Sequence, residues 1–222
     1  MRGEVLLPEE VSVPFPPRDP DAPVRSVRVL LFADVKGFSR LSEKDCLRFR
    51  RRFHAGVASE VLAPQGEFVL AQRTWGDALH VVLSDLAEAG RLALDLQDWM
   101  AAEDWAADGL ESVPRLRVAL HAGVVTRVPD PISPGYDYVG RNTSRAARIE
   151  PIAFEGQVFV SGAYAALLAP ENPPDLHLEY VGVRELPKGA GSMPVFLLVR
   201  VCGASVRADA GKTDFREERS PA

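Results

Sequence analysis

Leu31-Phe32-Ala33-Asp34-Val35-Lys36-Gly37-Phe38-Ser39-Arg40-Leu41-Ser42-Glu43 is the stretch on which the reading of this chain turns. An apolar run ends in a carboxylate, a Gly-containing turn follows, and Ser42-Glu43 opens a helical pattern. Asp34 is therefore expected at the carboxyl end of a strand, beside a helix N-terminus. There the turn's N–H groups and the helix's positive end favour polyphosphate oxygens, and a rigidly held carboxylate suits a metal. Read alone, the segment is equally an ordinary strand-to-helix turn with a capping Asp, so a second feature elsewhere has to decide.

Upstream, Ser26 to Ala33 is short and rich in Val and Leu, the pattern of a central strand buried on both faces. Residues 1–25 carry Pro8, Pro14, Pro16, Pro17, Pro20 and Pro23, which withhold backbone donors, so an extended Pro-rich arm is expected. Downstream, Leu47, Phe53, Val57 and Val61 recur at helical spacing from Ser42 to about Leu62, while Arg48, Arg50, Arg51 and Arg52 supply a solvated face. Pro64-Gln65-Gly66 turns the chain into two strands, Glu67 to Trp75 and Ala78 to Leu83, joined at Gly76-Asp77. A second carboxylate thus falls at a hairpin tip.

Ser84-Asp85 caps a helix running through Leu92, Leu94, Leu96 and Trp99 to about Ala107 and stopping at Gly109, with Trp99 and Trp105 as core or interface aromatics. Arg115 to Val125 is a further apolar strand, and Pro129, Pro131, Pro134 and Gly135 mark the loop after it. Tyr138-Val139-Gly140 leads into a helix through Glu150. Gln157 to Ser161 reads as a strand, Ala163 to Leu168 as a short helix, and strands near Leu176 to Leu186 and Met193 to Val201 close the domain. The small and charged residues over 203–222 are expected to be disordered. This order predicts an α+β domain over 26–202, with a mixed, largely antiparallel sheet and helices mainly on one face.

Bulk properties narrow the class. The 222 residues carry a net charge of −5, which offers no attraction to a nucleic-acid polymer or an anionic membrane, although a local Arg and Lys cluster still suits a nucleotide. No apolar run approaches the roughly 18 to 20 residues that span a bilayer, and the N-terminus lacks a basic segment followed by an apolar one. A cytoplasmic location is expected. Cys46 and Cys202 have no metal-ligand spacing and read as free thiols of a reducing compartment. His80 and His121 sit in strand patterns as core or satisfied histidines, and Trp75 beside the hairpin tip reads as a packing aromatic, with contact to a nucleotide base or a partner chain as the alternative.

If the strands ending at Asp34 and Asp77 are neighbours, their carboxylates lie side by side and can hold two divalent cations, the general device for in-line displacement at phosphorus. Hard oxygen ligands favour Mg2+ or Mn2+.

The segment Phe32 to Glu43 resembles the metal-binding opening of class III nucleotidyl cyclases. Arg73-Thr74-Trp75-Gly76-Asp77 is similar to their second carboxylate hairpin and Leu120-His121-Ala122-Gly123 to the strand that follows. Tyr136-Asp137-Tyr138-Val139-Gly140, Ala146-Ala147-Arg148-Ile149-Glu150 and Gly156-Gln157-Val158-Phe159-Val160-Ser161 complete a match from about residue 27 to 200. The resemblance implies a ferredoxin-like cyclase homology domain and a homodimer with two sites at its interface. It implies that Asp34, Asp77 and the carbonyl of Val35 bind the metals, that Gly37 and Phe38 lie in the phosphate turn, and that Lys188 meets the triphosphate. Arg148 would stabilise charge on the α-phosphate as the ribose 3′-hydroxyl attacks and pyrophosphate leaves. Four residues earlier, purine cyclases place an asparagine near the ribose. Here Ser144 offers a shorter reach, shared with Asn142 or Arg145.

Base choice in the family rests on two positions, here Arg73 and Asp137. Adenylate cyclases usually pair lysine with aspartate or threonine, and guanylate cyclases pair glutamate with cysteine, so guanine recognition of the usual kind is not expected. Arg only donates and ionised Asp only accepts, a combination that uracil, cytosine and adenine can each meet. The broad guanidinium shortens the pocket toward a one-ring base. Arg73, the run Ser144-Arg145-Ala146-Ala147-Arg148-Ile149-Glu150-Pro151 and the short form also resemble the bacterial pyrimidine cyclases of antiphage (Pycsar) defence. That likeness implies cyclic UMP, or cyclic CMP, made for a separate effector. Alternatives are an adenylate cyclase and a non-catalytic cyclase-like domain that binds nucleotide and regulates. A diguanylate-cyclase palm lacks support because no Gly-Gly-acidic hairpin tip is present.

Overall fold

The structure, a computed structural model, describes residues 23–110, 114–132, 135–202 and 205–206. Strand β1 (Val24–Val35) is central, pairing antiparallel with β3 (Ala78–Leu83) on one side and β4 (Leu116–Pro129) on the other. With β2 (Val69–Trp75), β6 (Val158–Ser161), β7 (Leu176–Glu185) and β8 (Ser192–Cys202), the sheet order is β2-β3-β1-β4-β6-β8-β7. β4 and β6 run parallel and the other pairings along this path are antiparallel, as the α+β reading expects.

The period-2 alternation of β1 divides the molecule. Val29, Leu31, Ala33 and Val35 point to the main core, where they meet α1 (Glu43–Gly56), its continuation through Val57–Leu62, α2 (Leu86–Ala102) and α4 (Gly162–Leu168). Leu30 and Phe32 belong to the opposite cluster with Val82, Val125, Tyr138 and Ala146, and Asp34 shares their side of the strand. Three helices therefore cover one face, and α3 (Arg141–Ala146) sits on the other. Phe49, Phe53 and Trp105 are fully buried, and α1 approaches α2 so closely at Gly56 that a Cβ there would meet Trp99 at 2.0 Å. Gln97 on α2 donates to the carbonyls of Leu116 and Gln157, tying that helix to two strands.

Several boundaries differ from the sequence reading. β1 starts at Val24, inside the predicted arm, because Val24 and Arg25 pair with Arg127 and Thr126. It also continues past Asp34 to Val35, which pairs with Leu116. Residues 1–22 of the arm lie outside the described residues. So do Pro134, the side chain of Cys202 and most of the predicted tail, within which Ser205 and Val206 form a short strand, β9, on β8. The helix expected to reach Ala107 ends at Ala102; Trp105 buries itself and donates Nε1–H to the Met100 carbonyl. Leu47 is exposed, and the apolar face of α1 is carried by Phe49 and Phe53 instead. Arg52 and Arg48 are more than a solvated face: Arg52 pairs with Glu103, and Arg48 donates to the Gly109 carbonyl. Tyr136–Val139, for which no strand was expected before the helix that follows Gly140, forms strand β5 on the far end of β4. Among the described residues no helix is long and apolar enough to cross a membrane.

Candidate active site

β1 and β3 pair with Ala33 opposite Leu79, so the turn that precedes β3 falls beside the carboxyl end of β1. Asp77 occupies that turn, and its Oδ2 accepts the backbone N–H of Val35 at 3.2 Å. Gly76 permits the turn with φ +64°, and its carbonyl is held 3.1 Å from His54 Nε2 on α1. A carbonyl only accepts, so His54 carries its proton on Nε2; burial keeps the ring's pKa low. The two sequence-predicted carboxylates therefore meet. The Asp77 carboxyl is pushed up to about 6, first by burial and then by its hydrogen bond to Asp34 and that group's charge. A divalent cation between the two carboxylates would offset the repulsion that raises Asp77.

Asp34 has a third neighbour that the sequence reading missed. Arg117 stands opposite it in the β1–β4 ladder and donates from Nη2 to Asp34 Oδ2 at 2.7 Å. Arg117 Nε also lies 2.8 Å from Glu150 Oε1, although the two are not aligned as a hydrogen bond. Glu150 is largely buried and its carboxyl is raised to about 7. Burial is the main cause, Arg117 opposes it, and the charges of Asp34 and Asp77 add to it. A lone Arg in the apolar run of residues 116–125 was the available signal: a cation facing inward on a buried strand needs an anion opposite. Among the described residues no group of three or more His, Cys, Asp or Glu side chains is set to hold a metal. The Asp34 and Asp77 carboxylates would offer oxygen ligands that suit a hard cation completing its shell with water and substrate phosphate.

Gly37 adopts φ +77° and opens a short 3₁₀ turn, Phe38–Arg40, between β1 and α1. The Phe38 ring packs against Phe49 at 5.6 Å, leaving its backbone as the polar part of the turn. The helix end is a weaker anion site than the sequence suggested. Ser42 Oγ already caps the Asp45 N–H at 3.1 Å, and Glu43 and Asp45 put negative charge in the first turn.

Arg73 on β2 pairs across the ladder with His80 of β3, whose ring stacks on Phe32 with centroids 4.3 Å apart. His80 is held at about 4 mainly by burial, with the charges of Asp137 and Arg73 acting on it in opposite senses. Arg73 and Asp137 are thus brought to one region. Asp137 Oδ1 accepts its neighbour's N–H, from Tyr138, at 2.7 Å. His121 is the satisfied core histidine the sequence suggested, bonded to Ser161 Oγ at 2.7 Å and Asn142 Oδ1 at 3.0 Å. Trp75 is not a packing residue of this chain: it is 88% exposed.

The helix expected to run through Glu150 ends at Ala146. The chain turns at Ala147–Ile149 and enters a 3₁₀ turn, Glu150–Ile152, because Pro151 has no N–H to donate back to Ala147 and Glu150 sits against Arg117. Ser144 is exposed on α3, and Arg148 is half-buried in the turn that follows. Lys188 is exposed in the β7–β8 turn with φ +60°, a left-handed conformation uncommon for a side-chain-bearing residue. No hydrogen bond or ion pair among the described residues joins Ser144, Arg148 or Lys188 to the carboxylate pair of the same chain.

This sheet, with paired acidic side chains at the adjoining ends of β1 and the β2–β3 turn, has the architecture of a class III nucleotidyl cyclase domain. The chain belongs to the adenylate and guanylate cyclase catalytic domain family, whose profile matches residues 22–200. An adenylate cyclase of Schizosaccharomyces pombe is 23% identical over 198 residues, covering 81% of this chain and 12% of that protein. A receptor-type adenylate cyclase of Trypanosoma congolense is 45% identical over 169 residues, covering 60% of this chain and 22% of that protein. The chain thus spans less than a quarter of the length of these curated relatives. The adenylyl cyclase CyaB from P. aeruginosa superposes with a TM-score of 0.70 at 15% identity, covering 82% of this chain and 98% of that one. The guanylate cyclase domain of RhGC from Catenaria anguillulae, in complex with GTP, gives 0.66 at 20% identity, covering 79% and 97%.

Proposed function

We propose that this chain is a catalytically active nucleotidyl cyclase, converting a nucleoside triphosphate to its 3′,5′-cyclic mononucleotide and pyrophosphate. The observation that carries the reading is the contact between Asp34 and Asp77 beside the Val35 backbone. Asp34, Asp77 and the Val35 carbonyl would hold two Mg2+ or Mn2+ ions, which acidify the attacking hydroxyl and neutralise the leaving phosphates. In the reaction the ribose 3′-oxygen bonds to the α-phosphorus, the bond from that phosphorus to the pyrophosphate oxygen breaks, and the hydroxyl proton is lost. Arg148 would set a fixed positive charge at the α-phosphate, Ser144 would steady the ribose, Lys188 would bind the triphosphate, and the Gly37 and Phe38 N–H groups would meet phosphate oxygens. No hydrogen bond or ion pair among the described residues ties Ser144, Arg148 or Lys188 to Asp34 or Asp77, which agrees with a homodimer in which each site joins residues of two protomers.

For the base, Arg73 and Asp137 are the readers in this proposal, with UTP or CTP the substrate, UTP slightly ahead because the pair fits O4 and N3–H of uracil. Adenine is the second reading, favoured by the relatives described as adenylate cyclases. On the pyrimidine reading the enzyme is cytoplasmic and its product is read by a separate cyclic-nucleotide effector in antiphage defence. Incubation with all four ribonucleoside triphosphates and Mg2+ or Mn2+, with the products identified by mass, tests both levels. Cyclic UMP or CMP supports the pyrimidine reading, cyclic AMP alone replaces it, and no cyclic product from any nucleotide overturns the enzymatic one.

A further inference from the structure

Arg73 is not a free arm at the edge of the sheet. Its Nη2 donates to Asp130 Oδ2 at 3.0 Å, and its Nη1 donates to the Gln72 carbonyl at 3.1 Å. Asp130 lies beyond the end of β4, 57 residues away, and is itself held in place. Its Oδ1 accepts the Ile132 N–H at 2.8 Å, and its own N–H bonds the Gly135 carbonyl at 3.1 Å. The carboxylate is therefore fixed by its own loop before it meets the guanidinium, and only 15% of its side chain is exposed, against 40% for Arg73. A planar fork gripped on one edge loses its rotational freedom and presents its remaining N–H groups in one direction.

We propose that Asp130 is a positioning residue for nucleotide selection, setting the reach and angle of Arg73 toward the base through the Asp130–Arg73 contact. The inference rests on the reading of Arg73 as a base-reading residue. With Asp130 in place, the guanidinium is tethered to the end of β4 beside which β5 carries Asp137, so donor and acceptor keep a fixed separation. Without it, Arg73 samples many rotamers, and each base is met with similar imprecision.

The test uses Asp130→Asn, which keeps an oxygen for the Ile132 N–H while removing the anionic acceptor, alongside Arg73→Met and the double variant. Steady-state kcat and KM are measured for all four nucleotides, with melting temperature as the check on folding. The expected result for Asp130→Asn is a loss of selectivity of about tenfold, through a raised KM for the preferred nucleotide, with kcat changed by less than about twofold. Arg73→Met should lose at least as much, and the double variant no more than Arg73→Met alone, because the two residues act in series. Selectivity lost in Arg73→Met but kept in Asp130→Asn would overturn the inference and leave Arg73 as base reader. Selectivity kept in Arg73→Met would overturn the base assignment itself. A uniform fall for all nucleotides in Asp130→Asn would mark a structural role, and a uniform gain would mark a restraint released on binding; either outcome overturns the positioning role.

Discussion

Arg117 stands directly across the β1–β4 ladder from Asp34 and binds one of its carboxylate oxygens at 2.7 Å, while its other edge lies against Glu150. The first metal carboxylate of the proposed site is thus a member of a charged row, Glu150–Arg117–Asp34–Asp77, and what happens at one end is felt along it.

Replacement of either end of the carboxylate pair should stop turnover without unfolding the chain. For Asp34→Ala and Asp77→Ala the expected loss in kcat is at least about a hundredfold, with the oligomeric state and circular dichroism unchanged. Loss of the folded state in both variants would assign the pair a structural role instead.

Arg117→Met should be costly in a different way. It strands Glu150 and Asp34 without their cation, and breaking a mostly buried ion pair from one side costs about 3 kcal/mol. Adding Glu150→Gln to Arg117→Met should recover part of that loss only in alkaline buffer, measured by urea unfolding, because without Arg117 to oppose burial Glu150 is protonated near pH 7 and becomes an unpaired buried charge only above it.

Glu150 also predicts a pH dependence. Its carboxyl is raised from 4.5 to about 7, so the folded protein binds more protons than the unfolded chain between those values, and this group's contribution to stability falls as pH rises through that window. Neutral His80, held at about 4, acts in the opposite sense below its ordinary range, so the measurement is a difference between proteins. The stability of wild type minus that of Glu150→Gln, in metal-free buffer, should fall by about 2–3 kcal/mol from pH 5 to pH 8. A flat difference would show that Arg117 keeps Glu150 ionised throughout.

Arg73→Lys should move the nucleotide preference toward ATP, because an ammonium is narrower than a guanidinium and leaves room for a two-ring base opposite Asp137. Relative kcat/KM for ATP and UTP is the measure, and an unchanged ratio would count against Arg73 as a base reader.

Mixing inactive partners tests the twofold site. Asp34→Ala and Arg148→Ala, each inactive alone, should complement when combined in equal amounts. Random pairing makes about half the dimers mixed, each with one intact site, so about a quarter of wild-type activity should return. No recovery after subunit exchange has been verified by mass spectrometry would place Asp34 and Arg148 in the same half of the site.

The local signals in the chain were read well where they depend on near neighbours. The alternation of Val29 to Val35, the Gly76-Asp77 turn, the caps at Ser42 and Asp85 and the short helix over Gly162–Leu168 are set by periodicities and backbone preferences that act within a few residues. The reading failed where a distant group overrode the local one. β1 runs on past Asp34 because β4 supplies Arg117 and Leu116 opposite its end, and the helix after Gly140 stops at Ala146 as the backbone bends to bring Glu150 to Arg117.

What the sequence determined by itself was the list of chemical parts: two acidic residues at strand ends, a glycine turn, and an arginine and an aspartate at the two positions proposed to read the base. Only the tertiary structure decided which of them touch. Asp34 and Arg117 are 83 residues apart, and Arg73 and Asp130 are 57 apart, so no local preference specifies either contact. Each depends on ladder register or loop closure, where a shift of one residue would turn the side chain to the opposite face of the sheet.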